Sequence, residues 1–130
     1  MWTIEYQETN LVSRHRGTLP VILTCPHNGV QKPEDVPARG GSPEGCPSPS
    51  LKADLNTRDI TSRVAQRLLD VFGEAPSVVV AEFHRKYIDA NRADLRLNCA
   101  YEVPAAKQYY DEYHNTVRCF VDEIRGDNGG

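Results

Sequence analysis

The stretch Val21-Ile-Leu-Thr-Cys-Pro-His-Asn-Gly29 decides the fold of this chain. Its first three residues are aliphatic, which favours a buried β-strand. Pro26 has no amide hydrogen and cannot continue the hydrogen-bonded ladder of an interior strand. The strand, predicted over residues 20–25, therefore delivers His27 into a turn that Gly29 closes. A histidine just beyond a strand end can hold a metal, shuttle a proton or simply bond to backbone.

Length, charge and hydropathy limit the class of protein. The 130 residues are enough for one domain, predicted over residues 1–130, and the net charge of -3 provides no general basic field for nucleic acid. No apolar run approaches the roughly 18 residues of a membrane helix, and the N-terminus lacks the layout of a signal peptide. We therefore predict a cytoplasmic protein without nucleic-acid or membrane partners. The four cysteines form no Cys-x-x-Cys pair, which predicts free thiols rather than a zinc finger.

Residues 29–50 contain a high density of chain breakers. Eight prolines and glycines lie between Pro33 and Pro49, so no regular element is expected there. A long loop that follows His27 is typical of an active-site lid, although the same composition also suits a disordered segment. The tail, residues 126–130, is predicted to be flexible.

Two helices and a second strand follow the loop. Residues 57–72 are predicted to form a helix that Asn56 or Thr57 caps and that ends before Gly73. The strand at residues 77–83 contains three consecutive valines, which indicates burial on both faces in a parallel βαβ unit. A last helix is predicted over residues 104–125. The apolar stripe expected to face the core from the first helix comprises Ile60, Val64, Leu68 and Val71.

A dense polar run follows the second strand, from His84 to Arg92. Arg85 and Arg92, beside Asp89 and Asn91, can form a fork for a substrate carboxylate, with Asp89 orienting a guanidinium. A surface ion-pair network is the alternative interpretation, and the residues alone leave both open.

Four motifs in this order resemble those of the N-formylglutamate amidohydrolase family. Pro26-His-Asn-Gly29 resembles the family's Pro-His-Ser-Gly, and Asp54 lies ahead of an amphipathic helix, with Thr57 and Asp59, as in the family. The run Arg85-Lys-Tyr-Ile-Asp-Ala-Asn-Arg92 is close to its Arg-Tyr-x-x-Asp-x-Asn-Arg signature, which is the most specific of the four. Tyr110-x-x-Tyr-His114 resembles its Tyr-x-x-Tyr-His pattern. The resemblance spans roughly residues 19–125.

The resemblance implies a three-layer α/β/α fold with a mostly parallel sheet, related to zinc carboxypeptidases. It implies a metal-dependent hydrolase of linear amides that acts on N-acyl amino acids. His27 and Asp54 correspond to zinc ligands, although this pair also suits other divalent metals. Arg85 and His114 correspond to the catalytic groups. The corresponding substrate-binding residues are Asp89, Asn91 and Arg92.

One departure from the family pattern is serious. Family members continue into a further strand whose late histidine completes the metal site, and this chain stops at Gly130. A catalytic zinc normally has three protein ligands and one water, and here two residues match by position. His84 and His114 are candidates for the third ligand. We therefore expect a truncated or divergent member that is inactive alone or completes its site through another chain.

Two other functions remain open at this point. A non-catalytic homologue would bind a carboxylate ligand or a protein partner through Arg85 and Arg92, without metal. A fragment folded as a homo-oligomer would bury the sheet edge that missing strands leave exposed.

Overall fold

The computed structural model describes residues 3–40, 49–93 and 99–127. A short 3₁₀ helix, Pro104–Ala106, leads into the last element of the chain. The described strands and helices are, in chain order, β1 (Gln7–Thr9), β2 (Val12–His15), β3 (Ile22–Cys25), α1 (Thr57–Phe72), β4 (Ser77–Ala81) and α2 (Lys107–Asp127).

The four strands form one mixed sheet in the order β1-β2-β4-β3. β1 and β2 form an antiparallel hairpin, and β2 also runs antiparallel to β4. Asn10 and Leu11, the two turn residues of the hairpin, both have positive φ, as a tight primed turn requires. β3 runs parallel to β4, with Cys25 opposite Val80, so the predicted βαβ unit is confirmed.

The predicted three-layer α/β/α fold with a mostly parallel sheet is wrong. Two of the three strand pairs in the described sheet are antiparallel, and the strands are accompanied by two long helices. The physical reason is β2, which lies between β1 and β4 and uses the edge of β4 that a further parallel strand would need. No strand is predicted there from the sequence. The zinc-carboxypeptidase-like architecture implied by the family resemblance is therefore not the fold of this chain.

The prediction for α1 is confirmed in its bounds and wrong in its orientation. The helix covers Thr57–Phe72, but Ile60, Val64 and Val71 of the predicted core stripe are exposed. The helix buries Ala65 and Leu69 instead. α1 packs mainly on β3, which is an edge strand of a narrow sheet. Because the helix therefore contacts the sheet over a small area, its larger aliphatic side chains face away from the sheet.

Two buried clusters fill the sheet faces. The one under α2 includes Val79, Phe83 and Tyr113, and the one beside α1 includes Cys25 and Val80. Adjacent residues of β4 therefore belong to different clusters, because successive side chains of a strand point to opposite faces of the sheet. The triple-valine sequence was correctly interpreted as buried on both faces.

Remaining predictions from the sequence have mixed outcomes. The last helix is α2 after its 3₁₀ start, and it extends to Asp127, into the predicted tail. In the 29–50 loop, residues 41–48 lie outside the described residues, as do residues 128–130 of the tail. The prediction of four free thiols is wrong at Cys99, which is disulfide-bonded, whereas Cys25 and Cys119 are free.

Candidate functional site

Close backbone packing places His27 beside the end of β4. A Cβ atom on Gly29 would lie 2.3 Å from the carbonyl carbon of Glu82, so glycine is what lets the turn pass against β4. The chain then continues alongside the backbone that follows β4, where the Gln31 amide donates to the Glu82 carbonyl (2.9 Å). These contacts hold His27 buried at the carboxyl end of the parallel pair, as the sequence predicts.

The His27 ring lies between two carboxylates. Its Nε2 is 2.6 Å from Oδ1 of Asp89, and its Nδ1 is 3.4 Å from Oδ2 of Asp54. The Asp54 amide also donates to the His27 carbonyl at 2.9 Å. The two residues assigned as metal ligands are therefore brought together, and both ring nitrogens of His27 face an acidic side chain.

The start of α1 positions Asp54. Asn28 Oδ1 accepts a hydrogen bond from the Arg58 amide at 2.5 Å, so the capping side chain comes from the turn that carries His27. The predicted cap at Asn56 makes no side-chain capping bond and has a φ of 70°. Thr57 Oγ1 donates to the Asp54 carbonyl at 2.8 Å. The His27 turn therefore bonds both to the Asp54 amide and to the first turn of α1.

Asp89 is the centre of the charge network. It is fully buried, and it accepts hydrogen bonds from His27, from Arg85 Nε (3.0 Å) and from the Asn91 amide (2.9 Å). Burial opposes ionisation of Asp89, but these bonds outweigh it and hold the pKa of the carboxyl below its ordinary value. Asp89 is therefore an ionised acceptor that orients both His27 and Arg85.

The predicted substrate-binding arginines differ in exposure. Arg85 Nη1 lies 3.9 Å from Oδ1 of Asp54, so its guanidinium spans from Asp89 to the assigned metal ligand. Arg92 Nε lies 3.8 Å from Oδ2 of Asp89, and 56% of its side chain is exposed. Asn91 is also exposed. The structure brings these groups together with Asp89, and it leaves Arg92 and Asn91 open to a ligand from solvent.

Arg39 is a site residue that sequence analysis missed. It is 3% exposed and lies 3.8 Å from Oδ2 of Asp89. Its guanidinium donates to three backbone carbonyls, those of Arg85, Cys99 and Ser50. No sequence signal marks it, because an arginine in a loop rich in proline and glycine is ordinarily exposed.

The two other histidines considered for the site bond to backbone. His114 Nε2 lies 2.8 Å from the Ala90 carbonyl, and its ring packs against Tyr110 and Tyr113. His84 Nδ1 accepts from the Lys86 amide (3.0 Å), and burial together with the Lys86 charge lowers the pKa of His84. His114 thus supports the backbone beside Asp89. Within residues 3–40, 49–93 and 99–127, no group of three or more metal-ligating side chains occurs.

The geometry of the His27–Asp54 pair fits two ligands of one zinc ion. Two ligands at Zn–N and Zn–O distances of about 2.0–2.1 Å lie about 3.3 Å apart on a tetrahedron, close to the observed 3.4 Å. A zinc-binding histidine usually donates its other N–H to a carboxylate, which is the position of Asp89. The Asp54 side chain is 54% exposed, so the pair is accessible from solvent.

Comparisons of the chain with protein-family models, with curated proteins and with solved structures find no match. The likeness to N-formylglutamate amidohydrolases therefore stays a prediction from the four motifs. In the part of the chain that the structure describes, no helix has the length and apolar character to cross a membrane.

Proposed function

We propose that this chain is a metal-dependent amidohydrolase of the N-formylglutamate amidohydrolase type, acting on the linear amide of an N-acyl amino acid. The observation that carries the proposal is the His27 ring, whose Nδ1 lies 3.4 Å from Asp54 while Nε2 bonds to buried Asp89. A carboxylate behind a histidine whose other nitrogen faces a second potential ligand is the usual arrangement of a zinc-binding histidine.

The residues of the chain have separate roles in this proposal. His27 Nδ1 and Asp54 Oδ2 hold the metal, and Asp89 fixes the ring by accepting from Nε2. A bound zinc ion would polarise the substrate carbonyl and activate a water molecule, which is the chemistry that amide hydrolysis needs. The Arg85 guanidinium contacts both Asp89 and Asp54. In this proposal it stabilises the negative charge that develops on the carbonyl oxygen. Loss of one such donor lowers kcat by about 10²–10³-fold in known hydrolases.

In this proposal the exposed residues Asn91 and Arg92 bind the substrate. Arg92 presents more than half of its side chain to solvent, and Asn91 is exposed beside it. A guanidinium pairs with a carboxylate through two parallel hydrogen bonds, which suits the carboxylate of an N-acyl amino acid.

The exposure of Arg92 also favours a second candidate function. A chain that binds a carboxylate ligand or an acidic protein partner through Arg85 and Arg92 needs no metal. In that case the His27–Asp89 bond is a structural contact that holds the Arg85–Asp89 segment in place.

Elemental analysis of the purified protein distinguishes the two functions. We expect about one zinc per chain in the wild type, or about one per two chains for a site shared in a homo-oligomer. The zinc is expected to disappear in His27→Ala. It is expected to remain in His15→Ala, which removes a histidine of β2 that bonds to the Glu5 carbonyl.

Activity measurements follow from the metal content. Zinc-loaded protein is expected to hydrolyse N-formyl or N-acyl amino acids, and Arg85→Met to do so far more slowly. A wild type that holds no zinc after zinc addition and dialysis overturns the hydrolase proposal. Calorimetric binding of N-acetylglutamate that is lost in Arg92→Met then supports the carboxylate-binding function.

A further inference from the structure

Arg39 is a buried cation whose guanidinium joins three separate segments of the chain. Nε and Nη2 donate to the Arg85 carbonyl at 3.2 and 2.8 Å, Nη1 to the Cys99 carbonyl at 2.7 Å, and Nη2 to the Ser50 carbonyl at 2.6 Å. The Arg39 amide adds a bond to the Lys86 carbonyl at 2.7 Å. Burying an arginine is costly unless its donors are satisfied, and here every nitrogen of the guanidinium has an acceptor.

These bonds converge on the segment that carries Asp89. Arg39 binds the backbone of Arg85 and Lys86 at the start of the segment. At its end the Asp89 amide donates to the carbonyl of Ala100, the residue after Cys99, which Arg39 also binds. The Arg39 guanidinium itself lies 3.8 Å from Oδ2 of Asp89. Arg39 therefore holds both the backbone on which Asp89 is mounted and the neighbouring segment to which Asp89 bonds.

We propose that Arg39 is a positioning residue of the His27–Asp54 site, which holds the Arg85–Asp89 segment where Asp89 accepts from His27 Nε2, so that His27 Nδ1 faces Asp54. The inference rests on the proposed function, because Nδ1 is the nitrogen assigned to the metal. It goes beyond that function because it assigns a role to a loop residue that is neither a proposed metal ligand nor a proposed substrate-binding residue.

The orientation of His27 depends on the Asp89 bond. In a neutral imidazole one nitrogen carries the proton and the other accepts, and the stronger acceptor contact selects the tautomer. Oδ1 of Asp89 lies 2.6 Å from Nε2, whereas Oδ2 of Asp54 lies 3.4 Å from Nδ1, so the shorter contact favours the neutral tautomer with its proton on Nε2. If Asp89 moves, both carboxylates compete for the ring proton, and Nδ1 is no longer reserved for a metal.

Two substitutions at Arg39 separate its charge from its geometry. Arg39→Met removes the donors to three carbonyls and the charge beside Asp89. Arg39→Lys keeps a positive charge, but a lysine ammonium does not reproduce the planar fork that reaches several carbonyls at once. We therefore expect Arg39→Lys to keep part of the wild-type geometry of the site and Arg39→Met to keep none of it.

Arg14→Met is the matched control. Arg14 is also partly buried, and it donates to the backbone carbonyls of Thr9 and Val12 while pairing with Glu112. It lies on β2 and bonds to α2, outside the His27–Asp89 network. Its loss is expected to lower overall stability without changing the His27 ring.

The test measures the His27 tautomer and zinc affinity in the same variants. Long-range ¹H–¹⁵N correlation spectra of the metal-free protein at pH 8 are expected to give a single Nε2–H tautomer in the wild type and Arg14→Met. A mixture of tautomers is expected in Arg39→Met. Zinc titration by calorimetry is expected to give a Kd about tenfold weaker in Arg39→Met, with Arg39→Lys in between.

The outcomes separate this inference from the function on which it rests. A wild type without zinc affinity overturns the proposed function, but the tautomer comparison still decides the role of Arg39. An unchanged tautomer in both Arg39 variants, with zinc Kd within twofold of wild type, overturns the inference and leaves the proposed function standing. If Arg39→Met does not fold, the same comparison in Arg39→Lys decides, since a wild-type tautomer and Kd there contradict a need for the guanidinium fork.

Discussion

Asp89 Oδ1 lies 2.6 Å from Nε2 of His27, across 62 residues of sequence. The contact joins the turn after β3 to the polar run after β4, which are brought together because these two strands are parallel neighbours. Asp89 is fully buried and His27 nearly so, so the bond is shielded from water and stronger than an exposed pair. Through this bond the Pro26–Gly29 motif and the Arg85–Arg92 motif form a single site.

Asp89→Asn is expected to be among the most destabilising single changes in this chain. Asparagine places an amide nitrogen or a neutral oxygen against donors from His27 and Arg85 and leaves the buried Arg39 without its neighbouring anion. Removing one partner of a buried charge network costs about 3–5 kcal/mol. Urea unfolding at neutral pH measures this loss. Asp59→Asn, in an exposed pair with Arg63, is the control and is expected to cost no more than about 0.5 kcal/mol.

The stability difference between the wild type and Asp89→Asn is expected to depend on pH. Because the pKa of Asp89 is lower in the folded protein than its ordinary value of about 3.9, its ionisation stabilises the folded state above that pH. The stabilisation is lost as the pH falls through the lowered pKa of the folded state. The wild type and Asp89→Asn are thus expected to converge in stability in acid, and a constant difference down to about pH 2 would contradict the assignment.

Gly29→Ala tests the close approach that places His27. A methyl group there would meet the backbone of Glu82 and Phe83 at 2.3–2.5 Å, so the turn or β4 must shift. We expect a loss of about 3 kcal/mol by urea unfolding, together with weaker zinc binding. Gly126→Ala is the control, because nothing lies within 4 Å of its position in α2. That change is expected to stabilise the protein by about 0.5–1 kcal/mol, and equal effects of the two variants would contradict the packing at Gly29.

Leu69→Ala and Val64→Ala distinguish the buried face of α1 from the stripe that the sequence suggests. Leu69 is 5% exposed and Val64 is 43% exposed. A buried leucine truncated to alanine costs about 2–5 kcal/mol, whereas an exposed substitution changes stability by about 0.5 kcal/mol or less. Thermal or urea unfolding measures both. A larger loss in Val64→Ala would place the core on the stripe and overturn the orientation of α1.

Tyr113 gives the folded state an alkaline limit. Burial, partly offset by a hydrogen bond with Thr24, raises the pKa of Tyr113 from 10.0 to about 12. Below about pH 10 the neutral phenol contributes its full stability, and this contribution is lost as the pH rises towards the folded pKa because the unfolded chain ionises first. The loss is expected to be about 1–3 kcal/mol. Phenolate absorbance and unfolding curves of wild type and Tyr113→Phe measure it, and curves that coincide above pH 11 would contradict the expectation.

The described site contains residues that the sequence identified and residues that it did not. His27, Arg85 and Asp89 were found because strand ends and a dense polar run are local features, whereas Asp54 was assigned through the family resemblance. Arg39 was missed because its burial depends on three carbonyls contributed by other segments. The capping role of Asn28 was missed for the same reason, since the amide that it accepts from lies 30 residues away.

The sequence by itself determined the elements whose stability is local: the bounds of α1 and the strands that end at Cys25 and Ala81. The strand–helix–strand order of these elements was enough to predict that the two strands are parallel. Tertiary structure decided the strand order, the buried face of α1 and the contacts within the site. The chain placed β2 between β1 and β4, turned Ala65 and Leu69 rather than Val64 towards the sheet, and set Asp89 against His27. The reason is that propensity and periodicity act over a few residues, whereas strand pairing and burial of charge depend on groups that are brought together by the whole fold.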